Sequence, residues 1–340
     1  MDKYSKFLEL CGMAGLSGNE SAVSNQVIKL FSNYTEKVWA DGIYNTYGQM
    51  GETGPLVMIA AHIDEVGLMV KAIRDDGFLS ICEVGGVDRR ILPAQEVLVH
   101  GKELLPGIIA VKPPHVLTPD ERKKSVSYDD LYVDIGHTGK RAKALVRVGD
   151  CISFKPQPSR LANGLLSTKS ADDRMGVAIM LMAMKALQER PLPLRTVMTA
   201  TTQEEVGSKG GQIAAQRLNP DLAIVLEVTH GDTPGAKPFT TQEMDKVNIA
   251  IGPILHKGYV DMLTSVAHKE KIPFTLEVFP RISSTDADEI QLSGWGVPCV
   301  IIQVPLRYMH TTVETISWPV MEQASKLLIA FLLAFSETEV

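Results

Sequence analysis

Cysteine and aromatic residues are scarce in this sequence of 340 residues, and its 34 basic residues are fewer than its 40 acidic ones. The four cysteines are scattered and form no CxxC pair, which excludes a disulfide framework and predicts reduced thiols in a cytoplasmic protein. The formal net charge of −6 argues against nucleic acid or an anionic membrane as a partner, because both bind a basic surface. Aromatic residues make up 6% of the chain, which offers few stacking platforms for a polysaccharide.

Long apolar runs are scarce as well. The most apolar one, LLIAFLLAF (327–335), is too short to span a hydrocarbon core about 30 Å thick. We therefore predict a buried C-terminal helix there and no membrane partner. The N-terminal segment MDKYSKFLELCG lacks the apolar stretch of a signal peptide, which again favours a cytoplasmic location.

Predicted strands and helices alternate in the second half of the chain. Continuous apolar strands between helices indicate an α/β domain with a mostly parallel central sheet and helices on both faces. The predicted strands are 195–202, 222–228 and 299–304, and the predicted helices are 173–189, 209–217, 258–271 and 286–293.

Residues 66–161 have a different texture. Short β-rich runs such as EVLVHG and LYVDIG alternate there with glycine, proline and aspartate turns, which is typical of a small β-barrel or sandwich. We predict a catalytic α/β domain formed by residues 1–65 and 162–340, interrupted by a β-barrel-like insert domain at 66–161. Exposed loops tolerate such insertions well.

Five polar clusters lie at the ends of predicted strands or before a buried helix. Functional residues of open α/β sheets gather at the carboxyl ends of the strands, so we expect these clusters to meet. Each alone is typical of ordinary structure, such as a satisfied core histidine or a helix cap. Together they indicate two divalent metal ions, because clustered carboxylates cannot all stay ionised without cations. The clusters contain His62 and Asp64, Asp172 and Asp173, Glu204 and Glu205, Glu227, and His310.

Seven segments, spread over essentially the whole chain, carry a family resemblance. They are GLSGNE (15–20), AHIDEVG (61–67), SADDRMG (170–176), TTQEEVGSKGG (201–211), THGDTPG (229–235), STDADEIQLSGWGVP (284–298) and RYMHTTVE (307–314). With these segments the sequence resembles the tetrahedral (TET) aminopeptidases, dinuclear metallopeptidases related to bacterial leucyl and glutamyl aminopeptidases. The resemblance implies a zinc-peptidase-like fold whose β-rich insert joins two chains into a dimer.

The resemblance also implies a ligand set for two divalent ions, with zinc or cobalt as the expected metals. Asp172 would bridge the two ions. His62 and Glu227 would complete one site, and Glu205 and His310 the other.

Two further carboxylates receive catalytic roles from the resemblance. Glu204 would be the general base that takes a proton from water and returns it to the leaving amine. Asp64 shares a strand face with His62 and would fix the tautomer of the imidazole. We also expect Asp173 and Arg174 to hold the metal loop by a charged hydrogen bond.

The sequence departs from the family pattern at two places near the site. The usual aspartate at one strand end is Glu227, and the usual Gly-Gly pair is Ser283-Ser284. Both changes bear on the affinity of one metal position and on the preferred substrate side chain. No substrate-binding residue is assigned from the sequence.

The implied function is a dinuclear metal-dependent aminopeptidase that removes N-terminal residues from short peptides. The implied assembly is a dimer building block within a hollow dodecamer. One alternative is a dinuclear-metal carboxypeptidase or amide deacylase, which would use similar ligands. Two others are a glycosidase, which could use two catalytic carboxylates, and a non-catalytic peptide-binding scaffold.

Overall fold

A computed structural model describes residues 4–237 and 240–339, without the side chains of Glu121 and Glu339. Residues 1–3 and 340, which end the predicted catalytic domain, lie outside the described residues, as do 238 and 239. Within the described ranges the α-helices are α1 (Ser5–Gly12), α2 (Ser21–Phe31), α3 (Gly139–Leu145), α4 (Ala171–Glu189), α5 (Lys209–Leu218), α6 (Lys257–Lys269), α7 (Ala287–Ile290) and α8 (Trp318–Glu339). Short 3₁₀ turns lie at Arg89–Ile91, Pro114–Val116, Glu121–Lys123, Tyr128–Asp130 and Ala162–Gly164.

The strands divide between a large sheet and a separate barrel. The sheet contains β1 (Val38–Ala40), β2 (Thr46–Met50) and β3 (Leu56–His62). The barrel contains β4 (Gly67–Ile73), β5 (Leu79–Val84), β6 (Glu96–His100), β7 (Leu104–Val111), β8 (Leu131–Asp134) and β9 (Cys151–Phe154). The chain then returns to the sheet with β10 (Ser159–Arg160), β11 (Leu165–Thr168), β12 (Arg195–Thr201), β13 (Leu222–His230), β14 (Val247–Ile251), β15 (Phe274–Val278), β16 (Cys299–Arg307) and β17 (Glu314–Ser317).

The sheet is parallel at its centre and antiparallel towards its edges. Its order is β1-β2-β12-β3-β13-β16-β17-β11-β10, with β14 paired to β16 and to β15. The four central strands β12, β3, β13 and β16 run parallel, which confirms the predicted α/β class. The flanks add antiparallel strands to this parallel centre, because β1, β2, β17, β11 and β10 pair antiparallel. Several of these flanking pairs are joined by short connections, which reverse the chain, whereas parallel pairing needs a longer crossover.

Helices cover both faces of the sheet. On one face α4 packs on β3 and on α8, with α1 and α2 against α4 and α6 against α8. On the other, α5 and α7 pack together. Gly176 allows α4 to approach the sheet, because a Cβ at this position would lie 2.4 Å from the Cβ of Ala61. The side chains of Met175, Met180 and Met184 are fully buried in this core.

The C-terminal helix is longer than the apolar run that predicted it. Its residues Trp318–Thr338 are long and apolar enough, by length and composition alone, to cross a membrane, and 56% of the most apolar window is buried within the fold. Leu327, Phe331 and Phe335 are buried, as predicted. The nine-residue run lies within a helix of 22 residues, so the length of the run underestimates the length of the apolar helix.

The barrel closes in the order β4-β5-β8-β7-β6-β9 around its own apolar core. All of its strand pairs are antiparallel, and inward side chains such as Leu68, Val99 and Val133 are buried. Its strands lie between residues 67 and 154, within the range predicted for the insert. Because β3 ends at His62 and β4 begins at Gly67, the barrel is attached beside the end of the central strands.

Candidate metal centre

The register of the parallel strands gathers the predicted residues at one edge of the sheet. Thr201 at the end of β12 pairs with His62 at the end of β3, and Glu227 in β13 pairs with Gln303 in β16. The other predicted ligands and the predicted base lie at the start of α4 or just after β12 and β16: Asp172, Glu204, Glu205 and His310.

Three of the segments that carry these side chains turn through the left-handed region of the backbone map. Ser170, Gln203 and His310 have φ values of 57°, 57° and 60°. Such values are uncommon for residues other than glycine and concentrate at functional sites. The turns direct Asp172, Glu204, Glu205 and His310 towards one cavity of about 570 Å³, which is also lined by His62 and Glu227.

Asp172 faces both histidines of the site. Its Oδ1 lies 3.0 Å from Nε2 of His62, and its Oδ2 lies 3.4 Å from Nε2 of His310. Nε2 of His310 also lies 3.2 Å from Oε1 of Glu205. One carboxylate therefore offers a different oxygen to each half of the site, an arrangement in which a carboxylate can be shared by two cations.

Asp64 contacts His62, as predicted, and also contacts other residues of the site. Nδ1 of His62 lies 3.1 Å from the backbone oxygen of Asp64 and 3.5 Å from its Oδ1. The backbone N–H groups of Glu204 and Glu205 donate to the two carboxylate oxygens of Asp64, at 3.1 and 3.2 Å. The hydroxyl of Ser17 donates to the same carboxylate at 2.6 Å. Asp64 thus positions one imidazole and the main chain of two glutamates.

Glu227 is buried and lacks a basic partner among the described residues. Its Oε1 accepts a hydrogen bond from the backbone N–H of Val228 at 2.9 Å. Lys169 and Arg174, the bases that could have neutralised it, lie instead with Glu65. Burial, together with the nearby charge of Asp173, raises the pKa of Glu227 well above its usual range.

Asp173 has a different role from the one predicted. Arg174 does not bond to it, but donates to the backbone carbonyls of Ile63 and Met13 at 3.1 and 2.6 Å. The Oδ2 of Asp173 accepts the backbone N–H of His62 at 3.2 Å, and its Oδ1 has no hydrogen-bond partner within the described chain. Ligand atoms of Asp173, His62 and Glu227 lie within 4.8 Å of one another. Asp173 is therefore a candidate ligand that sequence reasoning missed.

Glu314 is a second missed residue. It is 2% exposed, and its two oxygens accept the backbone N–H groups of His310 and Asp172, at 2.9 and 3.2 Å. A single buried carboxylate thus ties together two ligand-bearing segments that are distant in sequence. Its place at the end of the RYMHTTVE segment was the available signal, but the contact with Asp172 depends on the tertiary fold.

The protonation equilibria of the site are strongly displaced in the protein alone. Burial raises the pKa of Glu204 to about 8, with the charges of Asp286 and Glu205 acting in the same direction. Burial opposes protonation of His310, but hydrogen bonds to Asp172 and Glu205 raise its pKa to about 12. The protein therefore holds protons in this cluster that a cation could replace.

The donor set suits divalent metal ions. Imidazole nitrogens and carboxylate oxygens together bind zinc and related ions. Besides the group of His62, Asp173 and Glu227, a second group has ligand atoms within 4.8 Å of one another. It contains His62, Asp172 and Glu205. All five predicted ligands therefore line one cavity, although these two compact groups differ in membership from the predicted pair of sites.

Comparisons with known proteins agree with this geometry. The family model of the M42 glutamyl aminopeptidases matches residues 43–327. The lysyl aminopeptidase of Pyrococcus furiosus is 30% identical over 324 residues, which are 94% of this chain and 93% of that protein. The structure of a TET aminopeptidase from a marine-sediment thaumarchaeon has 32% identity and a TM-score of 0.93, covering 99% of both chains. The TET1 peptidase of Pyrococcus horikoshii, which can assemble into a tetrahedron or a large octahedral shell, has 27% identity and a TM-score of 0.86, covering 97% of this chain and 99% of that one.

Proposed function

The chain belongs to the M42 glutamyl aminopeptidase family, and we propose that its buried acidic site holds two divalent cations, zinc or cobalt. It is a metal-dependent aminopeptidase, a peptide hydrolase that removes residues from a free N-terminus. The observation that carries the proposal of two ions is the charge of the cavity. Its wall brings seven carboxylates, among them three predicted acidic ligands and the predicted base, together with three imidazoles, and no lysine or arginine lines it within the described chain.

The assignment of ligands follows the contacts of Asp172. This residue would bridge the two ions, since its two oxygens face different histidines. His62 and Glu227 would complete one site, and Glu205 and His310 the other. Asp173 lies beside His62 and Glu227, so it would add negative charge to the first site.

The chemistry divides between the ions and the side chains. When bound, two divalent ions polarise a peptide carbonyl and make a water molecule more acidic. Glu204 takes the proton of the attacking water on its carboxylate and gives it to the leaving amine nitrogen. The hydroxyl of Ser208 donates to Oε1 of Glu204 at 3.2 Å, and Asp64 holds the main chain of this residue. The base is therefore fixed at both its backbone and its side chain.

Removal and return of metal tests the proposal together with its alternatives. Dialysis against a chelator should abolish hydrolysis of aminoacyl p-nitroanilides, and zinc or cobalt should restore it. A peptide with a free N-terminus should be cleaved, whereas its N-acetylated form should not. Cleavage of the acetylated peptide from its C-terminus, or release of acetate, would favour the carboxypeptidase or deacylase. Full activity in a sample shown to be free of metal would contradict the metal mechanism.

The family relationship supports a homo-oligomer. The finer proposal is a dimer formed through the barrel and assembled into a dodecamer that admits short peptides in the cytoplasm. On β7 of the barrel, Leu104 and Ile108 are 58% and 54% exposed, which supports a contact there. Light scattering should give the mass of twelve chains, and Leu104→Lys with Ile108→Lys should give smaller species. A stable monomer of the unaltered protein at micromolar concentration would contradict the proposal.

A further inference from the structure

The cavity continues beyond the metal ligands into an outer part with its own chemistry. This outer pocket is lined by Thr229, Glu277, Asp288, Glu289 and Gln303. It therefore brings three further carboxylates to the same space as the metal centre. No lysine or arginine faces them from the described lining, and His230 is the one additional histidine there.

Strand register connects this pocket to the metal centre. Gln303 in β16 pairs with Glu227 in β13 and with Asn248 in β14. Asn248 in turn pairs with Thr275 in β15. Paired residues share a face of a sheet, and so do residues two apart in a strand, so Glu277 lies on the same face as the proposed metal ligand Glu227.

Two side chains of the pocket, Glu277 and Gln303, are held by hydrogen bonds and each keeps an acceptor oxygen without a partner among the described residues. The hydroxyl of Thr229 donates to Oε2 of Glu277 at 2.6 Å, and no other hydrogen bond to this carboxylate occurs among the described residues. Gln303 is 2% exposed, and its amide donates to the backbone oxygen of Val228 at 3.2 Å. The Oε1 of Gln303 has no partner in the described chain. A buried acceptor without a donor is costly, which points to a donor on the ligand.

Asp288 lines the pocket, but its carboxylate is already engaged in hydrogen bonds within the protein. Its Oδ1 accepts the backbone N–H and the hydroxyl of Ser283, both at 2.8 Å, and its Oδ2 accepts the backbone N–H of Ser284 at 2.8 Å. This fixes the Ser283-Ser284 segment that departs from the family pattern. Glu277 is left as the anchored carboxylate with a free oxygen.

We propose that the outer pocket selects peptides whose N-terminal residue has a cationic side chain, lysine or arginine, with Glu277 as the residue that pairs with it. The proposal rests on the proposed aminopeptidase function. An acidic side chain would be repelled by the carboxylates of the pocket. An apolar one would cover Glu277 and Gln303 without supplying a donor. A terminal ammonium or guanidinium group is attracted by the carboxylates and supplies hydrogen-bond donors to Glu277 and Gln303.

Kinetics on a panel of aminoacyl p-nitroanilides tests this selection. The metal-loaded protein should have a higher kcat/KM for the lysyl and arginyl substrates than for the leucyl and glutamyl ones. Glu277→Gln should lower kcat/KM for the lysyl substrate roughly 10- to 100-fold, the scale of one hydrogen bond to a charged group, and leave the leucyl value nearly unchanged. Glu270→Gln, at an exposed position outside the cavity, is the matched control and should change neither.

Binding gives a readout that does not depend on turnover. In a Glu204→Gln background, calorimetry should show tighter binding of lysinamide than of leucinamide, and Glu277→Gln should remove the difference. An equal loss on lysyl and leucyl compounds would assign Glu277 to the common α-amine and overturn the proposal. A preference of the unaltered protein for leucyl or glutamyl substrates would also overturn it, while leaving the aminopeptidase function intact. Hydrolysis of no substrate at all by protein with verified metal content would instead overturn the proposed function and this inference with it.

Discussion

Two groups of buried carboxylates lie side by side at the ends of the central strands, and they differ in what neutralises them. Glu65 is 3% exposed and pairs with the ammonium of Lys169 and the hydroxyl of Ser170. Burial alone would raise the pKa of Glu65, but the charges of Lys169 and Arg174 outweigh it and lower that pKa. In the metal-site cluster, burial instead raises the pKa of Glu227, with no lysine or arginine within ion-pair distance in the described structure.

The difference separates a carboxylate that the fold itself neutralises from those that we propose are neutralised by cations. A buried charge costs several kcal/mol unless it is paired, and this protein supplies Lys169 and Arg174 where the carboxylate is structural. Among the residues that the structure describes, it supplies no such partner to Asp173, Glu204 or Glu227. Cations from outside the chain would neutralise the second group, so the comparison predicts different consequences when each group is altered.

The largest expected effect follows from removal of the general base. Glu204→Gln keeps the shape of the side chain but cannot accept a proton, so kcat should fall by about 10²- to 10⁴-fold. The metal content should stay at two ions per chain, because Glu204 is not a proposed ligand. Steady-state kinetics with elemental analysis measures both. If Glu204→Gln loses a metal ion and Glu205→Gln does not, the roles of the two residues are exchanged.

For Glu65, the buried carboxylate that is paired with a lysine, the expected effect is on stability instead. Glu65→Gln leaves two buried bases without their carboxylate, so the free energy of unfolding should fall by about 3–5 kcal/mol, with unchanged metal stoichiometry. Urea titration measures this. The control is Glu52→Gln, which removes the exposed pair with Lys37 and should cost at most about 1 kcal/mol. Equal losses in the two variants would contradict the distinction between structural and ligand carboxylates.

A smaller effect is expected when Glu314 is altered. Glu314→Gln replaces one acceptor oxygen with an amide that cannot accept the N–H of His310 or of Asp172. The ligand that loses its acceptor should then be less well positioned, and metal affinity should fall about 10- to 100-fold, as for other supporting residues of metal sites. Competition with a chromogenic chelator gives the affinity. Unchanged affinity would mean that the fold holds these segments without Glu314.

A dependence of stability on pH is also expected in the metal-free protein. The pKa of Glu204 is raised from 4.5 to about 8, and that of Asp286 from 3.8 to about 6, mainly by burial. The folded state therefore keeps protons that the unfolded state releases. The raised pKa of His310 acts in the same direction. The free energy of unfolding should decrease as pH rises from about 5 to 8, by roughly 1.4 kcal/mol per pH unit for each retained proton.

Denaturation at pH 5, 6.5 and 8, with and without zinc, checks this dependence. The zinc-loaded protein should have a much weaker dependence, because cations replace the protons of the cluster. A metal-free protein that became more stable over this range would contradict the raised pKa values.

Strand patterning predicted the convergence of the site but not its supporting contacts. Apolar strands followed by polar residues predicted that His62 and the glutamates after β12 would meet, because the ends of parallel neighbours coincide. The role of Asp173 could not be predicted in this way, since it depends on a hydrogen bond from the backbone of His62. Arg174 was similarly assigned to the wrong partner, because its guanidinium reaches carbonyl groups distant in sequence.

Metal stoichiometry of Glu227→Ala tests the central claim most directly, namely that Glu227, a buried carboxylate without a basic partner among the described residues, is a metal ligand. The unaltered protein, loaded with zinc or cobalt and dialysed, should retain two ions per chain by elemental analysis. Glu227→Ala should retain close to one and lose turnover, and Glu227→Asp should keep the fold but release one ion at a lower chelator concentration. Two tightly bound ions and normal turnover in Glu227→Ala would contradict this claim, because a buried carboxylate with no basic partner in the described chain would then not be a metal ligand.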